Sequence, residues 1–303
     1  MKYLVTGGLG FIGSNLVDYL LEKGHEIVVV DDLSTGKESY KNPKATYYNY
    51  SIADLNLMTE LTKGMDGIFH LAAWARLQRS INDPLGTNHA NVTGTLTLLQ
   101  AARVNKVEKF IFSSSSSVYG MQENPIMEET MSTNPLHPYA LQKLVGEMYC
   151  RLYSKLFGIK TVALRYFNVY GPRQIIDGDY ALVIGTFLKQ KRENKKMTIY
   201  GDGRQTRAYT HVGDVVRANL LAMELSMEKG ESEIFNIGTD RETSINEIAK
   251  MLGGEVEHII PNPRGEFEER RKAANYSKAL KILGWKPTVT IEEGIKRLLG
   301  QKS

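Results

Sequence analysis

The chain has 303 residues, 42% of them hydrophobic, with 38 Lys+Arg against 34 Asp+Glu, a net charge of +4 and one cysteine. This length suits one large α/β domain or a cofactor domain with a smaller companion. So small and scattered a charge points away from nucleic acid, and Cys150 alone excludes an intramolecular disulfide, which suits a reducing compartment. The N-terminus runs directly into a predicted strand rather than a leader peptide. No apolar stretch approaches the roughly 18 residues needed to span a bilayer. The expectation is a cytoplasmic protein with no membrane or nucleic-acid partner and no metal.

In chain order, a strand is predicted over 3–6, a helix over 11–23 with Gly24 just past its end, and a strand over 26–30, where Ile27-Val28-Val29-Val30 is apolar throughout. Continuous runs of this kind suit a parallel sheet covered on both faces. The rhythm continues with strands over 67–71, 109–113 and 161–165 and helices over 88–105 and 139–157. It predicts right-handed βαβ units in a Rossmann-type, doubly wound parallel sheet. After Tyr170 it breaks: Gly171-Pro172, Gly201-Asp202-Gly203, Gly253-Gly254 and Pro261-Asn262-Pro263 punctuate shorter elements. The expected division is an α/β dinucleotide domain over 1–170 and a smaller α/β substrate-binding lobe over 171–303. Cys150, inside a helical run, reads as a small buried residue rather than a nucleophile.

Thr6-Gly7-Gly8-Leu9-Gly10-Phe11-Ile12-Gly13 joins the first strand to the first helix. Glycine there allows a tight turn and close backbone approach to a pyrophosphate, which the helix N-terminus attracts through free N–H groups and its dipole. Turns without a ligand use glycine too. The strand before it, the helix after it and Asp31 at the end of the second strand together point to a nucleotide. A carboxylate at Asp31 suits ribose hydroxyls and repels a 2′-phosphate, which favours NAD over NADP. Asp32 either meets the cofactor or caps the turn Leu33-Ser34-Thr35-Gly36.

Tyr139 and Lys143 are four apart on one predicted helix and so share a face. Tyrosine is a poor base at its ordinary pKa of about 10; a nearby ammonium favours the phenolate. The spacing alone is uninformative. Its weight comes from the serine run after Phe110-Ile111-Phe112, at the carboxyl end of a strand where open α/β sheets bind ligands. A hydroxyl there can bond a substrate oxygen and share in proton transfer, or simply cap the strand end.

Together with His70-Leu71-Ala72-Ala73, Asn91-Val92-Thr93-Gly94-Thr95, Tyr139-Ala140-Leu141-Gln142-Lys143, Leu164-Arg165-Tyr166-Phe167-Asn168-Val169-Tyr170-Gly171-Pro172-Arg173 and Tyr200-Gly201-Asp202-Gly203, these segments resemble the extended short-chain dehydrogenase/reductase superfamily. The similarity runs along almost the whole chain and is greatest to its NAD-dependent epimerase/dehydratase branch, in particular to UDP-glucose 4-epimerase-like members. The resemblance implies Tyr139 as base, Lys143 as its partner on the nicotinamide ribose, and Ser115 at the reacting hydroxyl, with Ser117 beside it. It implies cofactor contacts from Gly7, Gly10, Phe11, Ile12, Gly13, Asp31, Asp32, Ser34, Thr35, Gly36, Ser51, Ile52, Leu71, Ala72, Ala73, Asn91 and Phe167. Asn168, Leu182, Val183, Tyr200 and Arg207 are implied at the sugar nucleotide, the Arg207 fork suiting a diphosphate.

The chain departs from the family pattern at three places. Ser51-Ile52-Ala53 stands where Gly-Asp-Ile usually meets the adenine, with Asp54 too far along to take the part. Ala75 stands where some 4-epimerases carry lysine. Pro263-Arg264-Gly265-Glu266 shifts the second diphosphate arginine, leaving Arg264 as first choice with Arg270 and Arg271 as alternatives. Ser116-Ser117 replaces the Asp-Glu pair of the related 4,6-dehydratases, so the activity implied is an NAD-dependent nucleotide-sugar 4-epimerase of the UDP-glucose/UDP-galactose type. UDP-glucuronate decarboxylase, UDP-N-acetylglucosamine 4-epimerase and a non-catalytic dinucleotide-binding regulator are the alternatives. A homodimer is expected through helices 88–105 and 139–157, where Leu144, Val145, Met148, Leu152 and Leu156 form an apolar stripe that could equally pack inside one chain.

Overall fold

The computed structural model describes residues 1–75, 77–176, 182–260 and 270–300. Seven strands form one sheet: β1 (Lys2–Thr6), β2 (Glu26–Val30), β3 (Thr46–Tyr48), β4 (Gly67–His70), β5 (Lys109–Ser115), β6 (Lys160–Tyr166) and β7 (Ser232–Ile237). Their spatial order is β7-β6-β5-β4-β1-β2-β3, and each neighbouring pair is parallel. This is the doubly wound order that the strand–helix alternation predicts, with the switch point between β1 and β4.

Helices cover both faces because the strands are apolar on both. One face buries Leu16, Val17 and Leu20 of α1 (Phe11–Glu22) against β1, β2 and β4. Each such side chain contributes about 1.5–3 kcal/mol. The other face packs Met58 and Leu61 of α2 (Leu55–Leu61), Leu98 and Leu99 of α3 (Gly94–Val104), and Cys150 and Tyr153 of α4 (Pro138–Phe157). Cys150 is buried there, and burial pushes its thiol pKa up, so the side chain is inert.

The structure differs from the predicted elements in several places, and it adds β3 and short helices over Leu77–Asn82 and Pro84–Asn88. The helix predicted over 88–105 is interrupted by a π turn at His89–Thr93 before α3 begins. The strand predicted to end at 113 continues to Ser115. Helix α2 was not anticipated, although Asp54 accepts from Leu57 N at 3.0 Å in an N-cap that the sequence carries openly. Strand β7 pairs with β6 from Ser232↔Thr161 to Ile237↔Tyr166, so the main sheet draws a strand from beyond residue 170.

The later residues also build a cluster of their own. α5 (Val183–Arg192), α6 (Val212–Glu224), α7 (Ile245–Leu252), α8 (Ser277–Leu283) and α9 (Ile291–Gly300) follow in order. Ile184, Phe187, Ile248, Leu252, Ile291 and Ile295 gather around Tyr170 and Tyr209, whereas α6 and α8 pack on the α1 face of the sheet. Among the described residues no helix is long and apolar enough to cross a membrane.

Candidate active site

The β1–α1 loop is built for close backbone approach. Gly7 has φ +70°, a conformation glycine adopts freely. A Cβ at Gly13 would lie 2.0 Å from the Gly7 carbonyl oxygen, and one at Gly7 would lie 2.7 Å from Ala72 N. Helix α1 has Gly10 at its N-cap and no side-chain cap, so its first N–H groups are offered to an incoming acceptor.

The loop floors an open cleft. Lining it are Gly7, Gly10, Phe11, Ile12 and Gly13, Asp31, Asp32, Ser34 and Thr35, Ser51 and Ile52, and Leu71, Ala72 and Ala73. Ala75 and Ser113, at the lysine position and in the serine run singled out above, line it as well, as do Val30, Tyr50, Trp74, Ala90 and Ile175, which no motif marks because the fold brings them there. A glycine cradle that any Cβ would fill, facing an uncapped helix end and a carboxylate, fits a dinucleotide pyrophosphate and its ribose.

Asp31 is 7% exposed, and its carboxylate accepts from Leu9 N and Leu33 N, each at 2.9 Å. Burial pushes its pKa up, those two backbone bonds oppose the rise, and Asp32 adds to it. Asp32 accepts from Ser34 N at 2.9 Å, so it caps the turn while also facing the cleft. Gly36 packs on the Asp31 carboxylate, where a Cβ would come within 2.7 Å of Oδ1. At the opposite edge the Ser51 hydroxyl accepts from Ala53 N at 3.2 Å.

Asn91 is 4% exposed and does not line the cleft; it shapes it. Its side chain accepts from Trp74 N at 2.7 Å and donates to Trp74 O at 3.0 Å and to Gln142 Oε1 at 2.7 Å. The π turn therefore carries an amide that ties the loop after β4 to helix α4. Below it, Thr95 Oγ1 donates to Asn91 O at 2.6 Å, so it can only accept from His70 Nε2 at 2.8 Å, leaving His70 Nδ1 to accept from Thr6 Oγ1 at 2.8 Å. Burial and the nearby Lys143 charge hold His70 neutral, with a pKa of about 3.

At the carboxyl end of β5, Ser115 Oγ accepts from Ser117 N at 3.2 Å and from the Ser117 hydroxyl at 2.9 Å. Helix α4 begins where His137 Nδ1 accepts from Ala140 N at 3.2 Å, and its imidazole stacks on the Tyr139 ring at 6.1 Å. One turn on, Lys143 donates to the Ser113 carbonyl at 2.6 Å, and its Nζ lies 5.9 Å from the Tyr139 ring centre. Burial lowers the Lys143 pKa to about 8, opposed by Cys150 and Glu147. A further turn along, Glu147 takes a bidentate pair from Arg165 at 2.9 and 2.7 Å and a bond from the Ser114 hydroxyl. The first turns of α4 facing the sheet thus carry Gln142, Lys143 and Glu147, which lock the helix against the ends of β5 and β6.

The other candidates are spread around this centre. The Phe167 ring is fully buried against Val118, Tyr119, Met127 and Ala274. Asn168, at φ +34°, donates to Ala208 O at 2.9 Å. Arg207 is half-buried, its Nη1 on the Thr206 carbonyl at 2.8 Å. Thr206 N and Ala208 N donate to Arg270 O and Lys272 O, so the Arg207 strand runs beside Arg270 and Arg271. The Arg271 guanidinium is held by Glu242 at 2.6 Å. Leu182 and Val183 open α5, half-buried, and Tyr200 is 39% exposed. Arg264 lies outside the described residues. Among the described residues no cluster of His, Cys, Asp and Glu could hold a metal ion.

The model of the NAD dependent epimerase/dehydratase family matches residues 3–238. The chain is 41% identical over 302 residues to a putative UDP-glucose 4-epimerase of Methanocaldococcus jannaschii, covering 98% of this chain and 96% of that protein. Among solved structures it is similar to UDP-glucose 4-epimerase of Thermotoga maritima with UDP-glucose, with TM-score 0.92, 40% identity and coverage of 98% and 96%. It is also similar to UDP-N-acetylglucosamine 4-epimerase of Methanobrevibacter ruminantium M1 in complex with UDP-N-acetylmuramic acid, with TM-score 0.91, 32% identity and 99% of each chain covered.

Proposed function

Given that the chain belongs to the NAD dependent epimerase/dehydratase family, we propose that it is an NAD-dependent UDP-hexose 4-epimerase of the UDP-glucose/UDP-galactose type. The carrying observation is the Ser115–Ser117 hydroxyl pair at and just past the end of β5, the strand that buried Lys143, 5.9 Å from the Tyr139 ring centre, holds through the Ser113 carbonyl. Hydroxyls there can orient a sugar oxygen and pass a proton; they cannot supply the paired carboxyl chemistry that eliminating water needs.

NAD, when bound, supplies the hydride acceptor and donor that lets one carbon be oxidised and then reduced. The chain's own groups do the rest. Tyr139 takes the proton of the C4 hydroxyl, and the Lys143 ammonium favours its phenolate. Ser115 holds the reacting oxygen, with Ser117 fixing its hydroxyl direction. When the 4-keto sugar has turned in the site, Tyr139 returns the proton. Gly7, Gly10, Phe11, Ile12 and Gly13 hold the pyrophosphate, Asp31 the adenosine ribose, and Ser51 stands at the adenine edge in place of an acid.

We assign nucleotide-sugar binding to the lobe after residue 170, through Leu182, Val183, Tyr200, Arg207 and one of Arg264, Arg270 and Arg271, with Asn168 at its border. The Glu242 bond occupies Arg271, which favours the other two. We read the protein as a cytoplasmic homodimer acting in galactose metabolism. The dimer reading rests on α4, whose Leu141, Met148, Leu152 and Leu156 are 51, 58, 47 and 62% exposed at helical spacing. A helix that turns Gln142, Lys143 and Glu147 inward and these residues outward leaves its apolar face for a second copy.

Purified protein incubated with UDP-galactose should yield UDP-glucose without added NAD, and its denatured extract should contain NAD. Finding no C4 epimer from UDP-galactose, UDP-N-acetylgalactosamine or UDP-galacturonate would sink the reading. Carbon dioxide release from UDP-glucuronate would replace it with the decarboxylase.

A further inference from the structure

The strand order places β1 between β4 and β2. The loops after β4 and β2 therefore flank the glycine loop on its two sides and start roughly 10 Å apart, two strand spacings. One side chain joins them. Trp74, in the loop after β4, donates its indole Nε1–H to the Ser34 hydroxyl, in the loop after β2, at 3.1 Å. Both residues line the cleft. The bond thus spans the cleft above the uncapped N-terminus of α1, where a pyrophosphate belongs.

This indole is held on more than one side. Buried Asn91 clamps the Trp74 backbone through both its N–H and its carbonyl. The Arg79 guanidinium lies over the ring at 3.5 Å from its centre, a cation–π contact. A tryptophan fixed in backbone, ring face and ring N–H is a built feature rather than a loose surface aromatic. Its polar edge is directed to the Ser34 hydroxyl, at the exposed rim of the cleft.

We propose that Trp74, with Ser34 and Arg79, retains the cofactor: the indole closes over the bound dinucleotide, and the Trp74–Ser34 bond must open each time NAD enters or leaves. This deepens the NAD reading and rests on it. An epimerase that regenerates its cofactor every turn gains from slow exchange, because NADH lost in mid-cycle strands the 4-keto sugar.

The test uses the full chain loaded with NAD and follows release on dilution into unlabelled NAD after loading with radiolabelled NAD. Trp74→Ala should release NAD about tenfold faster than wild type. Trp74→Phe and Ser34→Ala, which keep a ring or an indole but lose the hydrogen bond, should do so about threefold faster, in line with one bond of modest net strength. The chain holds two tryptophans. Trp285 is fully buried, with Nε1 donating to Asp214 O at 2.9 Å, and gives a constant background. NAD binding should therefore quench wild-type fluorescence, and Trp74→Phe should abolish the quench. Unchanged release in Trp74→Ala, with its thermal unfolding like wild type, overturns the proposal. So does tighter NAD binding by that variant, since the indole would then be a plug rather than a closure. If the wild type binds no NAD at all, the underlying NAD reading fails, a result separate from either.

Discussion

Lys143 donates to the carbonyl of Ser113 at 2.6 Å, which pins an ammonium from α4 to the strand that ends in Ser115 and to the wall of the dinucleotide cleft. The bond couples the two halves of the site: the helix that carries Tyr139 cannot slide along β5 without breaking it.

Tyr139→Phe keeps the ring and its stacking on His137 while removing the acid–base group. The expected outcome is a loss of kcat of about 10²–10⁴-fold, the range of general acid–base contributions. Bound NAD in denatured extracts should be unchanged. Steady-state assay with UDP-galactose reads the first, and chromatography of the extract the second.

Lys143 contributes to a pH dependence of stability whose direction is set by its lowered pKa. The folded value is about 8 against an ordinary 10.5. Between those limits the unfolded chain holds a proton that the folded chain has released, so stability rises with pH across that window; below pH 8 the full penalty of the buried charge is present. Lys143→Met removes the term. The stability of wild type relative to Lys143→Met should therefore rise by on the order of 3 kcal/mol between pH 7 and 10.5, read by urea denaturation of cofactor-free protein.

His70 works in acid. Its pKa is about 3 in the fold against 6.5 ordinarily. Between pH 6.5 and 3 the unfolded chain binds the proton and the folded chain does not, so stability falls as the pH drops. The loss should reach on the order of 4 kcal/mol by pH 3. His70→Gln lacks this term, so its urea midpoint should fall less steeply below pH 6.5 than that of wild type. Equal slopes would mean that His70 takes up its proton in the fold.

Gly13→Ala puts a Cβ 2.0 Å from the Gly7 carbonyl, whereas Gly10→Ala meets the same oxygen at 3.3 Å. The first should destabilise the protein by about 3 kcal/mol, the upper part of the range for overpacking, and abolish NAD retention. The second should stay folded with a smaller loss. Chemical denaturation and NAD content after gel filtration report the two effects.

Met148→Lys with Leu152→Glu places charges on the exposed face of α4 and leaves its sheet-facing side untouched. Size-exclusion chromatography with light scattering should give twice the chain mass for wild type and the chain mass for the double variant. A double variant still at twice the chain mass would place the self-contact on another face.

The amino-acid sequence by itself determined what depends on neighbours along the chain. Apolar runs in 3–6 and 26–30, the glycines at 7, 10 and 13, Asp31 at a strand end, and Tyr139 and Lys143 four apart are local patterns, because strand and helix periods are set by backbone sterics over a few residues. Tertiary structure alone decided the rest. The outward side of α4 is a property of packing: Leu144 and Val145 are half-buried while Met148, Leu152 and Leu156 are exposed, though all belong to one stripe. Asn91 became the clamp of a loop rather than a residue of the cleft, because Trp74 and Gln142 reach it from distant segments. Strand β7 arrived from beyond the first half to pair with β6, and Trp74 met Ser34 across the loop between them. Each of these depends on burial shared between segments far apart in the chain, and burial has no period that a short window of sequence can carry.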